Sequence, residues 1–440
     1  MRWRSVLVAV LLLASGAEFC ARGPLRAVRE MAWNDFLPLY IQSRAWAYGK
    51  DPYSAQSFIS QWPSGNRRPA WVDSDTANGV LELKRGMPPP YPPSSLVVLS
   101  PFSMLPWAVA EPLWIVISIA AVVLSPFAFL SICGCSLAEL RAQLFLAAAF
   151  ALAPLHTGLA TAHLTMLTIS LTVFTVWAAR FGRGKTAGVL LAIAVCLKPT
   201  VAGGLLLFYL VRRRWKVAGI ACAAAAMIGV LGASRLTIAG VPWLASYFEN
   251  IRRIFASGSL TDFAQKDAIR FNLINAQVFF YSLLGNVSVA DRLAQLLGTA
   301  FLGSWLWLCW RRRAASELLE ISAIAVISLI PAYHRFYDAG LLIWPLAWSL
   351  LLAGKRSTVA ITLAAIVPFL VPGPVLLTEL VRTGRIPAAV ANGWWWNAIV
   401  LSHEAWDLIL LAVLLLYFMA RGSSERGSSE RSLPDSQALA

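Results

Sequence analysis

Charge is scarce in this chain. Asp, Glu, Lys and Arg make up 13% of 440 residues while hydrophobic residues make up 58%, a balance too apolar for a soluble globular protein. Histidine is rarer still, with four in all. The six cysteines, Cys20, Cys133, Cys135, Cys196, Cys222 and Cys309, lack the paired spacing of a structural zinc site. Cys133 and Cys135 form a C-x-C with no second pair. No Walker loop, Gly-rich dinucleotide turn, nucleophile elbow or His-Glu-x-x-His is present, so the common soluble nucleotide-binding, hydrolase and zinc-protease signatures are missing. Ten-residue alternating patterns are missing too, which argues against a transmembrane barrel.

What is present is a series of long apolar runs and a mean hydropathy of +0.65. A bilayer is crossed by about 17 to 25 apolar residues in a helix. The composition therefore predicts an all-α polytopic membrane protein with about ten to twelve transmembrane helices. The net charge of +15 does not point to nucleic acid. Much of it falls in short loops, where Lys and Arg mark a cytoplasmic side.

Residues 5–20 follow Arg2 and Arg4 and are read as a retained first helix rather than a cleaved signal, so 1–20 forms the first crossing. Residues 21–93 form a long first outer loop that ends in Gly86-Met-Pro-Pro-Pro-Tyr-Pro-Pro93, whose prolines forbid a regular helix and stiffen the return into the membrane. Residues 94–420 form the multi-helix domain, with outer loops at 241–293 and 375–403. Apolar runs lie at 113–132, 142–159, 163–180, 217–240, 294–310, 318–332, 338–353, 357–374 and 404–420. The segment 94–110, with Pro101 and Pro106, either spans or forms a bent, half-embedded piece. The tail 421–440 carries Arg-Gly-Ser-Ser-Glu twice in tandem and should be disordered and cytoplasmic.

Four compact positive loops, Arg180–Lys185, Arg212–Lys216, Arg311–Arg313 and Lys355–Arg356, should share one side. A single apolar run, 187–211, separates the first two. A broken hairpin with Lys198-Pro199-Thr200 at its turn reconciles them, and discontinuous helices of that kind line cavities. The competing topology makes 187–211 one kinked helix and lets 94–110 span.

Several side chains could carry chemistry. Asp35 sits in an aromatic stretch, Trp33 to Tyr53, just past the first apolar run, where a short amphipathic helix would place it near Tyr40. It could equally cap that helix. Lys198 is a cation inside an apolar run, which is costly unless it meets an anion such as a phosphate or pairs with a carboxylate elsewhere. His334 lies in the polar island Pro331-Ala-Tyr-His-Arg-Phe-Tyr-Asp338, beside Arg335, Tyr337 and Asp338, and is placed to act as a base or to hold phosphate. His156 and His163 have no carboxylate nearby in sequence and make a poor metal site. Asp73-Ser-Asp75 has the spacing of a divalent-ion motif but lies in a turn-rich loop. Trp243, Tyr247 and Trp394 to Trp396 suit either sugar stacking or a membrane-interface belt.

The order of these features resembles glycosyltransferase family 87 of the GT-C superfamily, the polyprenyl-phosphate-mannose-dependent mannosyltransferases of bacterial envelopes. The carriers are Asp35-Phe36 with Tyr40, Gly49-Lys-Asp-Pro-Tyr53, Tyr91-Pro-Pro93 with Pro101, Lys198-Pro199, the Arg-Arg-Arg-Trp-Lys run, and His334 with Tyr337. The resemblance implies an α-helical plasma-membrane enzyme, usually inverting, with its site on the outer face and a lipid-linked sugar as donor. It implies Asp35 and His334 as catalytic residues, Lys198 and Arg335 as the donor phosphate site, and Tyr40, Tyr53 and Tyr337 as substrate contacts. No metal and no cofactor beyond the polyprenyl-phosphate sugar are expected, because a fixed cation can stabilise a departing monophosphate. The partners are then membrane lipid, the donor and a glycolipid or glycan acceptor. Where the family often shows Gly-Gln-x-Asn, this chain has Ala162-His163-Leu164-Thr165, a departure that bears on the acceptor. Two other readings stay open: a transporter or flippase of lipid-linked sugars, and a lipid-linked arabinofuranosyl transferase.

Overall fold

The computed structural model describes residues 2–29, 34–64, 66, 88–265, 268–311 and 316–421. The described residues are helical throughout, and their extended pairing is limited to one isolated bridge, Leu273 with Arg335. Trp33, Asp73, Asp75 and the tail from residue 422 lie outside them.

Among the described residues five helices, or seven if each bent pair is one span, are long and apolar enough to cross a membrane, fewer than the about ten to twelve expected, because several apolar runs form helices too short to span. The five are Val6–Arg29, Trp107–Cys133, Trp215–Ile238, Val287–Arg311 and His403–Arg421. Two are bent pairs, Leu140–Ala151 with Ala153–Ala160 at 45° and Arg356–Leu370 with Gly373–Arg382 at 46°. Both breaks sit beside prolines, Pro154 and Pro374, that occupy the first turn of the following helix and cannot donate a ladder hydrogen bond. Four are shorter apolar helices, Thr165–Arg180, Gly184–Leu197, Pro199–Val211 and Phe336–Leu352. The first crossing extends beyond residue 20, and the long first loop holds helices of its own, Phe36–Ala47 and Ala55–Ser60.

The chain reverses at Lys198. Its backbone is extended there, φ −149° and ψ 90°, because the following Pro199 disfavours helical geometry at the residue before it. Gly184–Leu197 runs alongside Trp215–Ile238 in the same direction: Gly184 faces Lys216, Gly188 faces Ile220, and Cys196 faces Ala225. A Cβ at Gly188 would come within 2.6 Å of Ile220, so the approach of these two helices needs glycine. For two parallel helices to start at one end, the intervening Pro199–Val211 must return, and the segment 187–211 is a hairpin with Lys198 at its tip. Its arms of 14 and 13 residues rise about 20 Å each, short of the roughly 30 Å hydrocarbon core. Likewise Pro93–Ser103 has 11 residues and then turns at Pro106 into the Trp107–Cys133 helix, so it reaches about half way.

Basic residues of the short loops lie at the end opposite that tip. Arg212 makes a two-pronged ion pair with the fully buried Glu320, and Arg214 pairs with Glu317 at 2.6 Å. Trp305 Nε1 donates to the Glu320 carbonyl at 2.9 Å, which ties the Arg311 end of its helix to the same place. Arg141 donates to the Leu351 carbonyl at 2.9 Å, next to Lys355. Arg141 and Arg180 both lie beside Cys133. The main apolar core runs between these two ends, with Trp305, Trp344, Phe129 and Phe145 fully enclosed.

Candidate active site

The opposite end gathers four points of the chain: residue 35, the turn 161–165, the hairpin tip at 198, and the island 333–338. Asn34 opens the Phe36–Ala47 helix. Its Oδ1 accepts the backbone N–H groups of Phe36 and Leu37, each at 3.1 Å, and its Nδ2 donates to Glu111 at 2.5 Å. Asp35 holds the N-cap position but makes no side-chain capping bond. The ordinary duty of an aspartate there is thus discharged by its neighbour. The backbone N–H of Asp35 donates to the Thr161 carbonyl at 2.8 Å. Its carboxyl lies among Thr161, Arg335 and Lys198. Burial raises its pKa above the ordinary aspartate value, and Arg335, the Thr161 side chain and Lys198 offset that only in part.

Asp338 is the hub of the cluster. One carboxylate oxygen accepts from Lys198 Nζ at 2.5 Å and from the Thr165 hydroxyl at 2.9 Å. The other meets His334 Nδ1 at 3.0 Å and accepts the Arg335 backbone N–H at 3.2 Å. Lys198 also donates to Thr165 Oγ1 at 2.9 Å. Asp338 and His334 are each 1% exposed at the side chain, and Lys198 is 14% exposed.

Aromatic rings wall the site. His163 stacks on Tyr337 with ring centroids 4.0 Å apart, and Lys198 Nζ stands 5.1 Å over the same ring. Burial pushes His163 well below the usual histidine range, and the Lys198 and Arg335 charges add to that. The neutral ring accepts the Thr165 N–H on Nδ1 at 3.1 Å. Arg335 lies 6.0 Å over the Tyr333 ring, and its Nε is buried with no hydrogen-bond partner. Tyr91 joins Asp35, Tyr333 and Arg335, and burial pushes its phenol above the ordinary range.

The proline-rich stretch before the first half-way helix delivers Tyr91. Gln42 Nε2 donates to the carbonyls of Pro52 and Pro89 at 3.0 and 2.8 Å, and Asn250 Nδ2 donates to those of Tyr53 and Pro88 at 2.9 and 3.1 Å. Tyr53 donates its hydroxyl to the Tyr91 carbonyl at 2.7 Å and so holds the site's wall from behind.

Of the residues singled out in the sequence, Asp35, Lys198, His334, Arg335 and Tyr337 come together. Tyr40 does not join them. It is fully buried, donates to the Leu105 carbonyl at 2.8 Å, and packs edge-on to Trp107 in an aromatic block where Phe36 stacks on Trp114 at 4.6 Å. Trp394 is 68% exposed, and Trp396 is buried in a separate small core. His156 is buried among Phe19 and the Phe150 carbonyl, away from the cluster. Asp338, Thr165, His163, Tyr91 and Tyr333 are members that sequence reasoning had not assigned.

Helix starts add to the local potential. The helices Thr165–Arg180, Pro199–Val211 and Phe36–Ala47 all begin at this cluster, so the positive ends of their dipoles lie toward it. Cations, helix starts and one carboxyl not engaged in capping together make a site for an anionic group beside a base.

Comparison with known proteins agrees with this chemistry. No curated protein and no solved structure matches the chain significantly. The family model of glycosyltransferase family 87 matches residues 90–332, more than half of the chain, a range that includes Tyr91, Thr165 and Lys198 and stops just short of His334. With the helical architecture and the buried polar cluster, that match makes the chain a member of glycosyltransferase family 87, and so a membrane glycosyltransferase.

Proposed function

We propose that the protein transfers a hexose, mannose by resemblance, from a polyprenyl-phosphate carrier to a glycolipid or glycan of the cell envelope. The observation that carries this reading is the Asp35 carboxyl, free of helix capping, standing among Lys198 and Arg335. An acceptor hydroxyl attacks the anomeric carbon and gives its proton to Asp35. The bond from that carbon to the phosphate oxygen breaks, and the electron pair leaves on the polyprenyl monophosphate. Lys198 and Arg335 meet the charge that develops there. Attack opposite the leaving group inverts the anomeric centre. His334, joined to the same cluster through Asp338, is the second candidate base.

Collection of basic loops at one end of the fold supports a plasma-membrane orientation with that end in the cytoplasm and the site on the outer face. A leaving monophosphate paired with fixed cations needs neither a metal nor a cofactor.

The test is transfer in membranes expressing the wild type or Asp35→Asn, supplied with radiolabelled polyprenyl-phosphate mannose and a total lipid acceptor extract. Transfer by the wild type and near-complete loss in a normally expressed variant is the expected result. Transfer only from a polyprenyl-phosphate arabinofuranose would replace the hexose. No transfer from either donor, with movement of the lipid-linked sugar across the bilayer, would replace the transferase with a flippase.

A further inference from the structure

We propose that Asp338 is the positioning carboxylate of this site, setting the tautomer of His334 with one oxygen and holding Lys198 with the other. The inference rests on the transferase reading for its kinetic arm only. Each oxygen of Asp338 accepts two hydrogen bonds, from Lys198 and Thr165 on one side and from His334 and the Arg335 backbone on the other. An ionised carboxylate has no proton to donate, so Nδ1 of His334 must carry the hydrogen of that pair. Nε2 is then the basic nitrogen, and a ring held in this way cannot flip its roles without breaking the bond.

The hold on Lys198 has a different consequence. The ammonium is shared between Asp338 and Thr165. An arriving phosphate competes with a carboxylate already in contact, so part of the lysine's attraction is spent before the donor binds. Lys198 is thereby kept in place with a moderated grip, and the full charge becomes useful as the phosphate gains charge on leaving. Thr165 completes the arrangement by taking a hydrogen bond from the lysine and giving one to the carboxylate.

The experiment uses the purified full chain in lipid nanodiscs, labelled with nitrogen-15 histidine, as wild type and as Asp338→Asn. The His334 signals are assigned by their loss in His334→Gln. The expected result has two parts. The wild type shows hydrogen on Nδ1 of His334, and Asp338→Asn moves it to Nε2. In parallel, kcat falls at least about 100-fold, the range for loss of a base, while KM for the polyprenyl-phosphate sugar stays level or drops.

An unchanged tautomer, a kcat within about threefold of the wild type, or a loss confined to a higher KM would overturn the proposal. If Asp338→Asn does not fold, Lys198→Gln with Asp338→Asn removes both charges at once and the tautomer is read in that protein, with the same two outcomes. Should the wild type transfer no sugar, the proposed function fails on its own account, and the tautomer measurement still decides whether Asp338 positions His334.

Discussion

Lys198 Nζ and Asp338 Oδ1 meet at 2.5 Å across 140 residues of sequence. The contact joins the tip of a short hairpin to the start of the Phe336–Leu352 segment, deep enough that Asp338 is 1% exposed at its side chain. A buried ion pair needs further hydrogen bonds on its carboxylate, and here His334, Thr165 and the Arg335 backbone supply them to Asp338.

Asp35 and Asn34 should separate cleanly by mutation. Asp35→Asn is expected to lower transfer by about 100- to 10,000-fold, the range for a general base, with the fold intact. Asn34→Ala removes two capping bonds and the bond to Glu111, and should cost about 1 to 2 kcal/mol of stability. Thermal melting in detergent beside the transfer rate checks both. A strongly destabilised Asp35→Asn would return that residue to a structural role.

The pH dependence has a definite sign. Burial raises the Asp35 pKa above the ordinary value of 3.8 more than its cationic neighbours lower it. A base works deprotonated, so activity climbs with pH through that raised value, and the acid limb of kcat/KM should lie above the ordinary aspartate range. The same shift opposes folding once the carboxyl ionises. That cost is absent below the unfolded value and grows as pH rises through the folded one. Asp35→Asn should therefore melt at or above the wild type near pH 7, with the difference closing as the pH falls toward 4. An acid limb at or below pH 4 in the wild type would contradict the assignment.

Metal removal offers a third measurement. EDTA should leave transfer unchanged, since Lys198 and Arg335 supply the positive charge at the leaving group. Loss with EDTA and recovery with manganese would bring Asp73 and Asp75, which lie outside the described residues, back as candidate ligands.

The two ion pairs at the basic end should behave differently although they are close in sequence. Arg212→Gln leaves the fully buried Glu320 without its partner and should cost about 3 to 5 kcal/mol. Arg214→Gln breaks an exposed pair with Glu317, side chains 60% and 49% exposed, and should cost about 0 to 1 kcal/mol. Equal losses on chemical or thermal unfolding would refute the contrast.

Much of the membrane architecture was legible in the sequence, because hydropathy is a local property of a window about as long as a crossing. The hairpin at 187–211 was legible for a second reason: Arg180–Lys185 and Arg212–Lys216 could share a side only if the run between them turned back, and Pro199 marked where. The site was legible in part. Asp35, Lys198 and His334 stood out as polar residues beside or within apolar runs. Asp338 was visible in the same island as His334, yet its partner Lys198 lies 140 residues away and Thr165 173 residues away, distances at which no spacing rule operates. Tyr40 was grouped with Asp35 by helical proximity, but the helix turns that face into an aromatic core. Capping was the alternative to catalysis for Asp35, and the capping bonds belong to Asn34, since a one-residue offset is below what composition and spacing can resolve.

The hairpin tip also fixes an order of events in the making of the protein. Synthesis proceeds from the N-terminus, so Lys198 emerges well before Asp338 exists. Throughout that interval the two arms, each too short to cross alone, carry an ammonium whose lasting carboxylate partner has not been made. The contact that fixes the tip at 2.5 Å can close only once Asp338 has been made, although the first arm already has Gly188 against Ile220 of the helix that follows the hairpin.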